Sequence, residues 1–100
     1  MIINKKLKLG AAVYNIEQTM AMLKNGVGIL NIYIILIDRN SKNLMEIIPS
    51  TQIFRECYAK KSFEIIAIAN GKREALETAS ELIIENLAFA QDADMFKSRF

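Results

Sequence analysis

The chain contains no histidine, one cysteine and one proline. Without histidine, every imidazole base, imidazole nucleophile and histidine-ligated metal site is excluded. The single cysteine, Cys57, can neither close an intramolecular disulfide nor complete a CxxC pair, which fits a reducing compartment. An excess of charge of one sign is lacking as well. Thirteen Lys and Arg face eleven Asp and Glu, a net of +2, short of the footprint of a dedicated nucleic-acid binder. The longest apolar stretch, Val27–Ile37, is interrupted by Asn31 and closed by Asp38, whereas a spanning helix needs about 20 residues. Met1–Lys6 places its apolar residues before its lysines, unlike a signal peptide. The expectation is a cytoplasmic protein with no membrane partner.

What is present is apolar surface. With 52% hydrophobic residues in a chain of 100, there is enough to offset the entropy of ordering one domain. The expected unit covers residues 1–90, followed by a tail over 91–100. Lys6–Leu9 alternates with period two, as a half-buried strand does. Val13, Ile16, Met20 and Leu23 recur at helical spacing within Ala11–Lys24, and Asn25-Gly26 ends that helix. Ile29–Ile37 is dense in β-branched and aromatic residues and reads as a strand. The polar turn Asp38–Asn43 leads to a second strand, Leu44–Ile48, predicting a hairpin. A short helix from Pro49 carries Ile53, Phe54, Cys57 and Tyr58 on its apolar side. Phe63–Ala69 is a strand, Asn70-Gly71 a turn, and Lys72 to about Ala90 the longest helix.

The order β-α-β-β-α-β-α predicts an α+β fold with a four-stranded antiparallel sheet and helices on one face. Two architectures fit: an open-faced sandwich, and a ferredoxin-like sandwich with an extra C-terminal helix. On Ile29–Ile37, Ile32, Ile34 and Leu36 point one way and Tyr33, Ile35 and Ile37 the other. Both faces are therefore apolar, where a one-sided sheet needs one polar face. The second face calls for a cover: a partner, a second copy, or the tail with Met95, Phe96 and Phe100. The expectation is a homodimer through that face.

Few residues suggest chemistry. Gly71, Lys72 and Arg73 stand at the start of the last helix, where free amides and two cations can hold a phosphate or carboxylate. The same residues also read as a solvated turn partly offset by Glu74. Glu74, Glu77, Glu81 and Glu85 form an acidic stripe, and Leu76, Ala79, Ile83 and Leu87 an apolar one. A single helix face points its carboxylates outward, so the acidic stripe reads as solvated rather than metal-binding. Cys57, beside apolar neighbours and without a base, reads as a buried small hydrophobe. No nucleophile–base pair is visible and no cofactor is implied.

The segment Ile65-Ile66-Ala67-Ile68-Ala69-Asn70-Gly71-Lys72-Arg73-Glu74-Ala75-Leu76-Glu77, with Leu82–Asn86 and Asn43–Ile48, resembles the HPr family of small phosphocarriers. The order of elements over residues 5–90 is also similar. The departures fall on the residues that carry that family's chemistry. Its first strand leads to a phosphorylated histidine, whereas here Leu9 is followed by Gly10-Ala11-Ala12-Val13. Its regulatory serine corresponds to Glu46. The resemblance implies a non-catalytic, HPr-like interaction or regulatory module without phosphocarrier activity. Glu46, Ile53 and Phe54 would meet a protein partner of unknown identity. The alternative is a small nucleic-acid- or anion-binding domain using Lys5, Lys6, Lys8, Lys72 and Arg73.

Overall fold

A computed structural model describes residues 2–53, 63–87 and 92–100. The alternating N-terminal segment forms β1 (Ile2–Leu9), followed by α1 (Ile16–Lys24) and the apolar strand β2 (Ile32–Ile37). After the polar turn come β3 (Glu46–Pro49), a single helical turn α2 (Ser50–Ile53) and β4 (Glu64–Asn70). Helix α3 (Lys72–Leu87) and the short α4 (Ala93–Lys97) complete the described chain. Phe54, Cys57 and Tyr58 lie outside the described residues.

The four strands make one sheet in the order β1-β4-β2-β3. β2 pairs antiparallel with β3 and with β4, as the hairpin reading expects. β1, however, pairs parallel with β4. The sheet is therefore mixed, which corrects the expectation of a wholly antiparallel one. β4 inserts between β1 and β2, two strands of opposite direction, so it must run parallel to one of them.

The helices also lie on both faces rather than one. Leu23 of α1 and Ile53 of α2 pack with Ile34, Leu36, Ile65 and Ile68. Ala79 and Leu82 of α3, with Phe96 of α4, pack with Ile35, Ile37, Ile66 and Ala67. Consecutive strand residues such as Ile34 and Ile35 face opposite ways, so the two clusters lie on opposite sides of the sheet. A register shift helps fill the second. Ile35 pairs with Ala67 but Leu36 pairs with Ile65. The extra residue, Ile66, joins Ala67 in the second cluster, as a β-bulge permits. The apolar face that called for a homodimer is thus covered by α3 and the C-terminal segment of the same chain. The reason for a sheet-face dimer is removed.

Two boundaries and one helix face also differ from expectation. α1 begins at Ile16, because Asn15 adopts a left-handed φ of 46°, while Val13 is buried from the preceding turn. β2 begins at Ile32 rather than Ile29. Asn31 has φ 67°, and Ile29 is held by Ser50, whose hydroxyl accepts from Ile29 N at 2.8 Å and donates to Ile29 O at 2.7 Å. On α3 the buried side is Ala75, Thr78, Ala79 and Leu82. Leu76, assigned to the apolar stripe, is 51% exposed. The one proline, Pro49, falls on the edge strand β3, where a sheet tolerates proline.

Candidate functional site at the end of the first strand

β1 ends where α3 begins, and their side chains close over one another. Gly10 continues the sheet by donating its N–H to Ile68 O at 2.8 Å. The Glu74 carboxylate, in the first turn of α3, lies against Gly10. It accepts from Ala12 N at 2.8 Å and from Asn70 N at 3.0 Å. A glutamate at the third helical position commonly reaches back to an amide at the helix start. Here the Gly71 N–H is already committed to Asn31 O at 2.7 Å, so Glu74 takes Asn70 instead. Gly71 itself has φ +88°, a conformation glycine adopts without steric cost.

Two and three turns further along α3 the charges are paired. Lys8 Nζ lies 2.7 Å from Glu85 and 3.2 Å from Glu81. The hydrogen bond that the Lys8 ammonium donates to Glu85 raises its pKa above the ordinary lysine value, with partial burial opposing and Glu81 adding to the rise. Arg73 pairs with Glu77 at 3.2 Å on the exposed surface. Between these groups lies a shallow pocket of about 300 Å³, lined by residues including Lys8, Gly10, Glu74, Thr78 and Glu81. Among the described residues, no group of three or more Cys, Asp or Glu side chains is placed to hold a metal ion.

The expected site residues are distributed differently. Gly71, Lys72 and Arg73 do sit at the start of α3, with Lys72 and Arg73 exposed. Beside that turn, the amides of Ala12 and Asn70 are taken by the chain's own Glu74. In the sequence, Glu74 reads as one member of an acidic stripe and as a partial offset to Lys72 and Arg73. The Asn-Gly-x-x-Glu spacing was the available signal for its backward reach, but nothing local pointed to Ala12. Glu46 is half-buried on β3, paired in register with Leu36. Ile53 is only 1% exposed and belongs to the first core cluster. It therefore offers no surface to a partner, a correction that follows from its packing against β2 and β3. Phe54, the third expected contact, lies outside the described residues.

No described helix is long and apolar enough to cross a membrane. Comparison with protein families, curated proteins and solved structures finds no match to the chain.

Proposed function

We propose that this chain is a non-catalytic protein-interaction or regulatory module of HPr-like plan, without phosphocarrier activity. The observation that carries the reading is the Glu74 carboxylate seated at the end of β1. It takes the Ala12 and Asn70 amides, so these two donors are not open to an external anion. A fixed negative charge there repels a second anion. The same pairing weighs against the nucleic-acid alternative. Of its five cations, Lys8 is tied to Glu81 and Glu85, and Arg73 to Glu77. From the resemblance the reading keeps the order of elements and the loss of both chemistries; the two-faced covering of the sheet departs from it.

Three measurements test the reading. Incubation with phosphoenolpyruvate and the phosphoryl-donor enzyme of the sugar phosphotransferase system should leave the mass unchanged. A labelled single-stranded RNA should show no anisotropy change at 50 mM salt, the condition that favours phosphate contacts. Glu46→Gln should stay within about 0.5 kcal/mol of the parent in stability, as near-isosteric changes outside a fully buried site do, while altering which proteins co-purify. A gain of one phosphate, or salt-sensitive RNA binding, overturns the reading.

A further inference from the structure

Residues Asp92–Phe100 lie as a strap on the second face of the sheet. Helix α4 has five residues, too few to hold itself together in water, so its order comes from what it touches. Phe96 is 3% exposed, in the cluster with Ile35, Ile37 and Ile66. Phe100 packs at the margin of the same cluster, its ring centroid 5.3 Å from that of Phe96. Lys97 is 2% exposed. Its ammonium donates to the backbone carbonyls of Asp38 at 2.7 Å and Ser41 at 2.6 Å.

The receiving surface also grips the backbone of the strap. Arg39 Nη1 donates to Lys97 O at 2.9 Å, and Asn4 Nδ2 donates to Phe100 O at 3.3 Å. Both of these side chains are themselves held by the Glu64 carboxylate, Arg39 at 2.9 Å and Asn4 at 2.7 Å. The groove is thus built from β1, β2, β4 and the turn after β2, with its polar groups oriented by one another. The core cluster on the opposite face includes no residue of the strap. Withdrawing the strap would leave that core in place and bare Ile35, Ile37 and the flanking Leu44, Met45 and Ile47.

We propose that this groove is a receptor for a short segment that opens with a helical turn and carries phenylalanines four residues apart, with a lysine after the first. The chain's own strap fills it in cis, and the strap of a second copy fills it in trans. Strap exchange is then a route by which copies associate, in place of a contact through the sheet face that α3 and the strap cover. The inference deepens the interaction-module reading by naming the surface and the partner. Its test is separate from the phosphoryl and RNA assays, so either can fail alone.

Binding in trans is weakened by the fraction of time the cis strap is away, because only the open groove accepts a ligand. Asp92 supplies a way to change that fraction without touching the groove. It is exposed, and its carboxylate caps α4 by accepting from Met95 N at 2.8 Å. A fluorescent peptide of sequence Asp92–Phe100 is titrated into the full-length chain and its Asp92→Ala variant. Saturable binding to both is expected, about fivefold tighter to the variant, the change that loss of one helix cap produces. The same peptide carrying Phe96→Ala should not saturate. A full-length Phe96→Ala chain, checked for its fold by circular dichroism, provides a second open groove and should bind the parent peptide more tightly than the unaltered chain does. No saturable binding to either folded variant, or equal binding of the Phe96→Ala peptide, overturns the proposal.

Discussion

The contact between Gly10 and Glu74 can be tested by a double-mutant cycle in which the structure predicts a change of sign. Gly10 does not occupy the left-handed region, so its backbone conformation tolerates alanine. The obstacle is steric: a Cβ at position 10 would overlap the carboxylate of Glu74. The end of a glutamate can move aside, but here it would surrender the amides of Ala12 and Asn70. Hydrogen bonds to a charged group contribute about 1.5–3 kcal/mol each. Water can reach this part-buried site and recover some of that, so Gly10→Ala should cost about 2–4 kcal/mol. For a domain of this size, that lowers the melting temperature by roughly 10–25 °C. In a Glu74→Ala background the obstacle is absent. There Gly10→Ala should be neutral or stabilise by up to about 1 kcal/mol, because it restricts only the unfolded chain. The coupling energy read from urea unfolding of the four proteins should therefore exceed about 2 kcal/mol. Equal destabilisation by Gly10→Ala with and without Glu74 would refute the reasoning and place the cost in the backbone.

Further outcomes follow from the same geometry. Ser50→Ala, which removes both bonds to Ile29 from a fully buried site, should cost about 2–3 kcal/mol in urea unfolding. Gly28→Ala places a Cβ 2.6 Å from Thr51 Cα; the opposing atom is backbone, so a loss of about 2 kcal/mol or more is expected, and a neutral result would show that α2 shifts freely. Phe96→Ala should cost about 3–5 kcal/mol if the strap is fully docked, as for other buried aromatics. Lys8 has a folded-state value raised above 10.5 by Glu85 and Glu81, so its contribution is fully present below the unfolded value. It disappears as pH rises through the folded one. Lys8→Met should therefore cost less than about 1 kcal/mol near neutrality, since the pair is partly exposed. Melting curves of parent and variant should converge above pH 10.5; a gap that persists there would assign the effect to packing of the Lys8 stem.

The class of fold was legible because local patterns carry it. Period-two alternation in β1, the β-branched run of β2 and the three-and-four spacing of α1 and α3 each follow from backbone geometry. The doubly apolar character of β2 was legible too, and it correctly required something to cover each face. What local pattern could not state was which segment does the covering. α3 contains two competing phases, Ala75-Thr78-Ala79-Leu82 and Leu76-Ala79-Ile83-Leu87. Only contact with Ile35, Ile37 and Ile66 selects the first. The direction of β1 relative to β4 depends likewise on a pairing across some sixty residues. The role of Glu74 depends on where the end of β1 comes to rest, since Ala12 and Glu74 are neighbours only in space. Lys97 makes the same point: nothing local to it signals burial, and two carbonyls 56 and 59 residues away make its burial possible. Sequence by itself determined the elements and the absence of histidine chemistry, because both are properties of single residues and near neighbours. The tertiary structure decided the faces, the mixed sheet and the Glu74 clamp, because those are set by packing between segments that share no local signal.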